Sequence, residues 1–317
     1  MAMAVARVIV GVDVSKDWID VNEYGKDEVE RIANVRSDLG RFVRRYASAA
    51  LAVESTNTYH RLVVELALAH GLEVYLINGY QLSRYAESLN LRMRNDRIDA
   101  KLLARFLHRE IDKLHRYEPK PAALRRLWEL IKRRALLVKQ SLQLSQSLGT
   151  LPELKAALRV LLNANHRLQK QIEQKLQRLA VSMGWQDELK RLRTLPGVGE
   201  LSALVLLAAY RTHAFADRDA YIAFMGLDVK TKDTGKHKGK RKLTKQGDSE
   251  YRRVLYNAAR AAKGDQDYFA RYYEALTKRG IASTGALVAI ARKLAQLAFV
   301  LLKSQTDFDP SKLRASR

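Results

Sequence analysis

Asp13, Glu54, Asp96 and Asp99 are four carboxylates in a chain that is otherwise strongly basic. The 317 residues hold 57 Lys+Arg against 34 Asp+Glu, a formal net charge of +23. Such an excess suits a polyanionic partner. Carboxylates gathered inside a basic protein suit a Mg²⁺ (or Mn²⁺) centre facing phosphodiesters, because hard oxygen ligands hold these ions beside phosphate. Any one of these acids alone reads as a surface charge or a salt-bridge partner. Their shared context supports the metal reading.

Strand parity brings the first two acids to the same side. Residues 7–14, RVIVGVDV, are a β-branched run suited to a buried strand. Within it Asp13 shares a face with Ile9 and Gly11. Residues 51–55, LAVES, form a second short strand, with Glu54 on the face of Ala52. The small neighbours are expected to leave room for a metal and a phosphate. Downstream, RNDRIDAKLLARF places Asp96 and Asp99 three apart, on one face of a helix that Leu102, Leu103 and Phe106 can anchor to the sheet. Two acids on strands and two on a packed helix can converge on a pair of divalent ions, the arrangement that stabilises the attacking and leaving oxygens of an in-line displacement at phosphorus. Without metal, four such carboxylates repel one another, so stability should depend on Mg²⁺ or on protonation.

A second chemistry-bearing segment lies far along the chain. Residues 230–245, KTKDTGKHKGKRKLTK, hold eight Lys/Arg and one acid, hinged by Gly235 and Gly239. The segment sits between two apolar runs, AYIAFMGL and YRRVLYNAA. It reads as a phosphate-gripping loop in which Lys236, Lys238, Lys240, Arg241, Lys242 and Lys245 contact DNA. Thr234 presents a hydroxyl amid these cations and can attack a phosphodiester while they stabilise the developing charge. Just upstream, TLPGVG at 194–199 runs into an apolar helix. Its turn resembles a helix-hairpin-helix element in which Gly197 and Gly199 expose backbone N–H groups to a DNA phosphate.

The remaining elements follow from pattern. Residues 17–23 alternate as the hairpin partner of the first strand. Residues 38–50 have helical spacing, 59–70 form a helix ended by Gly71, 72–77 a strand, and helices run from Gln81 to Arg109. Pro119 and Pro121 mark a boundary. From Leu124 to Leu179 the chain reads as a helical hairpin interrupted at Gly149–Pro152. A heptad-like seam through Leu154, Leu158, Leu161, Asn165, Leu168, Ile172 and Leu179, weakened at Lys175, suits coiled-coil oligomerisation. The domains expected are therefore 1–115, catalytic; 116–185, an oligomerising hairpin; and 186–317, helical. The chain has no cysteine, which excludes disulfides and thiolate metal sites and fits a reducing cytoplasm. No signal peptide is read, and no apolar run approaches a membrane span, so a nucleoid-associated protein without membrane contact is expected.

VIVGVDVSKD, AVEST and RNDRIDAKLLARF, in that order, resemble the N-terminal DEDD domain of a family of bacterial insertion-sequence transposases that includes the pilin-gene-inverting invertases. LRTLPGVGELSALVLLAAY, AFADRDAYIAFMGLDVK, the basic loop, KLTKQGDSEYRRVLYNAA and ALVAIARKLAQLAFVLLK resemble its C-terminal transposase domain. The resemblance covers nearly the whole chain. It implies a RuvC-like, RNase H-type α/β first domain, which the residue pattern continues with a helical coiled-coil middle and a mostly α C-terminal domain. It also implies Mg²⁺ held by Asp13, Glu54, Asp96 and Asp99, and cleavage and rejoining of double-stranded DNA; the heptad-like seam, for its part, suggests a homo-oligomer, a dimer or tetramer. Transposon-branch members can be guided by a structured non-coding RNA, whereas the C-terminal segments here look closer to the inverting branch. The family's proposed nucleophile is a serine before a glycine in the basic loop. Here that position is Thr234, whose extra methyl restricts χ1 and crowds the attack.

Two other readings compete. A Holliday-junction-type structure-selective endonuclease would need only the first domain, and the long C-terminal part argues against it. A catalytically impaired DNA- or RNA-binding relative would bind with strong salt dependence and without metal-dependent chemistry, and the presence of all four acids argues against it.

Overall fold

The structure, a computed structural model, describes residues 7–46, 48–55, 58–91, 95–230, 242–245, 247–264 and 268–312, with the side chains of 230, 242 and 312 also left aside. The chain divides into two compact units, Met1–Pro119 and Lys120–Arg317.

The first unit is built on one five-stranded sheet. Its strands are β1 (Val8–Val14), β2 (Trp18–Glu23), β3 (Glu30–Ala33), β4 (Ala49–Glu54) and β5 (Glu73–Ile77), in the order β3-β2-β1-β4-β5. β1 to β3 are antiparallel neighbours, while β4 pairs parallel with β1 and β5 parallel with β4. Four helices cover the sheet: α1 (Arg36–Arg44), α2 (Arg61–Ala69), α3 (Gly79–Ser88) and α4 (Asp96–Glu110). One sheet face, with Val10, Val12, Val14, Leu51 and Val53, packs on Leu39 and Phe42 of α1 and Val63 and Ala67 of α2. The other face, with Ile9, Ala50 and Ala52, packs on Leu82 of α3 and on Leu102, Leu103, Phe106 and Leu107 of α4. The alternation read along β1 and β4 is therefore the true division of the sheet.

Two expectations change here. The helical spacing at 38–50 belongs to α1 only as far as Arg44, and Ala49 and Ala50 already lie in β4. Alanine satisfies either period, so it could not mark the change. β3 was not anticipated: ERIA has a single buried residue, Ile32, and an edge strand with one face in solvent carries almost no apolar signal. Gly71 does follow α2 with φ +76, the left-handed geometry of a helix stop.

The second unit is helical: α5 (Ala122–Leu148), α6 (Lys155–Ser182), α7 (Gln186–Leu192), α8 (Glu200–Tyr210), α9 (Arg218–Phe224), then a two-stranded ribbon of β6 (Val229–Lys230) and β7 (Lys242–Leu243), then α10 (Ser249–Gly264), α11 (Tyr268–Lys278) and α12 (Ser283–Ser304). α5 and α6 form the expected hairpin, turning at 149–154. Its base shares a core with the helices that follow: Leu127, Ile131, Ile172 and Leu176 join Leu206 of α8, Leu255 of α10 and Leu294 of α12. The heptad residues divide. Leu158 and Ile172 are buried, Leu154, Leu161 and Leu168 are exposed, and Asn165 donates to the carbonyl of Leu137 across the hairpin at 3.3 Å.

α12 corrects one expectation. Among the described residues it is long and apolar enough, by length and composition, to cross a membrane. Its apolar side chains, including Leu287, Ile290, Leu294, Ala298 and Phe299, form part of the second unit's core, and Arg292 and Lys293 sit at its middle. A central core helix packed on several sides needs apolar residues nearly all round.

Candidate active site

The acids converge at the carboxyl end of the central strands. Val12 lies opposite Val53 in the parallel β1–β4 pair, so Asp13 and Glu54 emerge side by side. On the other flank of β1, Asp13 pairs directly with Asp20 of β2, and cross-strand partners share a face. The sheet thus presents a row of three carboxylates. α4 adds Asp96 and Asp99 in its first turn, where negative charge is favoured by the helix dipole. Asn95 caps that helix, accepting from the N–H of Ile98 at 2.9 Å. One carboxylate oxygen from each of Asp13, Asp20 and Asp96 lies within 4.8 Å of the others. Glu54 shares a hydrogen bond with Asp13, and the charges of Asp99 and Asp96 act on Asp13 as well.

Glycines set these distances. A Cβ on Gly11 would overlap the carbonyl oxygen of Ala100 and crowd the backbone N of Ala104. The space expected beside Asp13 for a metal and a phosphate is therefore taken by the backbone of α4. That close approach brings Asp96 and Asp99 to the sheet. The room beside Glu54 comes from elsewhere: Gly79, the first residue of α3, would place a Cβ 2.6 Å from Oε1 of Glu54. Asn78 begins this helix with a capping box to Gln81, holding the glycine against the acid.

The electrostatics follow from this crowding. Burial, then the charge and hydrogen bond of Glu54, then Asp99 and Asp96, push the Asp13 carboxyl up to about 7. Near neutral pH and without a cation, Asp13 therefore holds a proton for much of the time. Asp20 is only 1% exposed and is held by Arg31 of β3 in a two-point fork, Nε to Oδ1 at 3.0 Å and Nη2 to Oδ2 at 2.7 Å. The same Nη2 reaches Oδ2 of Asp96 at 3.4 Å, and the guanidinium lies over the Trp18 ring, 4.7 Å from its centre. The Asp20 hydrogen bond raises the pKa of Arg31, so it stays charged.

Asp20 and Arg31 were missed by sequence reasoning. The signal for Asp20 was present: it alternates with Trp18 and Asn22 in the hairpin partner of β1. Its position opposite Asp13 depends on the register of the β1–β2 hairpin, which the turn at 15–17 does not announce. Arg31 carried no signal, because β3 itself did not.

The second unit holds the ends of the basic loop. Val229 pairs with Leu243 and Lys230 with Lys242 in the short ribbon. Just outside it, Thr244 donates its backbone N–H to the carbonyl of Asp228 at 3.0 Å and its hydroxyl to the Asp228 side chain. Arg252 of α10 donates to the carbonyls of Met225 and Gly247, and Lys132 of α5 pairs with Asp248 at 2.7 Å. Lys245 is exposed, with φ +55. Thr234, Lys236, Lys238, Lys240 and Arg241 lie outside the described residues, as does the side chain of Lys242.

The TLPGVG turn joins α7 to α8. Gly197 has φ +72, and a Cβ there would overlap the Ala258 carbonyl and the Ala262 N of α10. Its lack of a side chain thus serves helix packing. Gly199 begins α8 in open space, and the next residue, Glu200, is acidic.

Comparison with known proteins agrees with these features. The family model for DEDD transposases of the IS110 type, described as "Transposase", matches residues 10–154. A second, "Transposase IS116/IS110/IS902 family", matches residues 189–274. The chain is 25% identical over 267 residues to a "Pilin gene-inverting protein" of Moraxella bovis, covering 82% of this chain and 81% of the relative. It is 24% identical over 267 residues to the protein of the same name in Moraxella lacunata, with the same coverage. Two matches to one family, in order and spanning most of the chain, place this protein in the IS110 family of transposases, enzymes that recombine DNA.

Proposed function

We propose that this protein cleaves and rejoins double-stranded DNA at specific sites, using a divalent-metal centre in the first unit and a hydroxyl in the basic loop of the second. The observation that supports it most is the row of carboxylates at the ends of β1, β2 and β4, joined by two more from α4. An all-oxygen donor set suits Mg²⁺ or Mn²⁺, and a divalent ion would relieve the crowding of carboxylates that helps push the Asp13 carboxyl up. Asp13, Glu54, Asp96 and Asp99 would hold the ion. When bound, it would polarise the scissile phosphate and help ionise an attacking oxygen. The sheet, with three antiparallel strands and two more parallel to the first, supports the RuvC-like, RNase H-type reading of this unit.

The hydroxyl step is assigned to Thr234. Its oxygen attacks phosphorus, forming a protein–DNA phosphodiester. The sugar oxygen leaves and takes up the proton that the threonine gives up. Lys236, Lys238, Lys240, Arg241, Lys242 and Lys245 would neutralise the phosphates around it. The pairing of Val229 with Leu243 supports a loop whose ends are held together. Rejoining requires two DNA ends, so a dimer or tetramer acts, with the exposed Leu154 just before α6 and Leu161 and Leu168 within it as contact points. Inversion is the reading favoured by the relatives' name, and a structured guide RNA is the alternative means of choosing a site.

The test uses a plasmid that carries the DNA flanking this gene on both sides. Asp13→Ala is expected to abolish recombination while leaving DNA binding within about threefold, and full recombination by that variant would remove the metal assignment. A covalent adduct on nicked DNA should form with the unaltered protein and vanish in Thr234→Ala. An adduct that persists would exclude Thr234. Metal-dependent junction cutting without rejoining would instead support the structure-selective endonuclease.

A further inference from the structure

The guanidinium of Arg31 stands beside three acids, Asp20, Asp96 and Asp13, where a cation is not needed if a metal is to bind. The ordinary reading is that it neutralises Asp20, which is buried and would otherwise be an unpaired charge. That accounts for the Nε and Nη2 edge. It does not account for the rest. Nη1 donates to none of the described residues, and the side chain is 44% exposed. The group is fixed on three sides: by the fork to Asp20, by the contact to Asp96 and by the Trp18 ring beneath it. A guanidinium held this way keeps a free pair of N–H donors at a set place beside the carboxylates. It need not reorganise when a charge arrives.

We propose that Arg31 is a further catalytic residue, one whose free Nη1 edge donates to a non-bridging oxygen of the scissile phosphate and stabilises the negative charge that grows there in the transition state. Asp20 is its positioning residue: by holding the fork, it presents the other edge outward. Phosphate recognition by a planar guanidinium suits this geometry better than an ammonium would, because a lysine cannot grip Asp20 and a phosphate oxygen with one rigid group. The inference rests on the metal-centre reading given above, since the phosphate must lie at those carboxylates.

The test uses the full-length protein with three substitutions: Arg31→Lys, Arg31→Met and Asp13→Asn. Three measurements are made. Tb³⁺ binding is read by luminescence sensitised by tryptophan, with Trp18 beside the site. The affinity for a labelled duplex of the gene's flanking DNA is read with Ca²⁺ and with EDTA. Cleavage of the flanking-DNA plasmid is read in Mg²⁺. Asp13→Asn should lose the Tb³⁺ signal, and its retention together with cleavage would remove the metal-centre reading itself. Arg31→Lys keeps a charge for Asp20 and should fold. It should bind Tb³⁺ within about threefold of the unaltered protein, lose the Ca²⁺-dependent gain in DNA affinity, and cleave about 100-fold more slowly, the scale for losing one pre-placed donor. Arg31→Met should behave alike, with cleavage partly restored by guanidinium ion in solution. If Arg31→Met does not fold, Arg31→Lys decides alone. Undiminished cleavage in Arg31→Lys overturns the proposal, as does a Ca²⁺-dependent gain in DNA affinity equal to that of the unaltered protein. Loss of Tb³⁺ binding in step with cleavage overturns it too, and would make Arg31 a residue that only arranges the acids.

Discussion

Gly79 and Glu54 are fitted to each other: a methyl group on the glycine would stand 2.6 Å from Oε1 of the acid. The chain after β5 turns directly into α3, and the helix starts against the carboxylate. Gly79→Ala is expected to separate stability from metal binding. An alanine in the first turn of a helix is favourable for folding, so the thermal midpoint should hold or rise. The Glu54 side chain can swing away from the added methyl. Affinity for Mn²⁺ should then fall about tenfold, as it does when an acid's supporting contact is lost. Calorimetric titration with Mn²⁺ checks this against the melting curve.

Gly11→Ala should fail differently. The added methyl meets the backbone of α4 at Ala100 and Ala104, which cannot swing aside. The helix has to lift from β1, taking Asp96 and Asp99 with it. A loss of about 1–3 kcal/mol is expected, together with weakened metal binding. Urea unfolding of the variant measures the first, and Tb³⁺ luminescence the second.

Asp13 links stability to pH. Its folded carboxyl titrates at about 7 and its ordinary value is 3.8, with burial the leading cause and Glu54 next. The folded protein therefore holds this proton more tightly than the unfolded chain. The stabilisation is complete below the ordinary value and is lost as pH rises through about 7. The groups facing Asp13 are Glu54, Asp20, Asp96, Asp99 and the Arg31 guanidinium. Metal-free protein should thus lose stability between about pH 4 and 7 relative to Asp13→Asn, and Mg²⁺ should cancel much of that difference by replacing the proton. Melting curves of both proteins across this range, with EDTA and with Mg²⁺, test it. A difference that does not change with pH would contradict it.

Gly197 and Gly199 should respond unequally to alanine. Gly197 combines φ +72 with a backbone of α10 that leaves no space for a side chain. Its replacement should cost about 2 kcal/mol or more. Gly199 has an extended φ of -85 and open surroundings, so alanine there should stay within about 1 kcal/mol. Thermal unfolding of the two variants makes the comparison. Near-equal losses would argue against the packing role given to Gly197.

Much of the site could be read from the chain itself because side-chain direction is a local property. In an extended strand alternate residues share a face, so Asp13 with Gly11 and Glu54 with Ala52 were determined before any fold was known. Three residues make nearly one helical turn, so Asp96 and Asp99 were together as soon as α4 formed. The tertiary structure decided what depends on register and contact between distant segments. It set Asp20 opposite Asp13, brought Arg31 from an edge strand to both Asp20 and Asp96, and filled the space of Gly11 with α4. It also divided the heptad residues of α6 between a buried and an exposed face, because a helix that packs on several neighbours is not bound to one seam. The four acids are properties of the sequence, whereas the cation held among them follows from how strands and helices far apart in the chain come to touch.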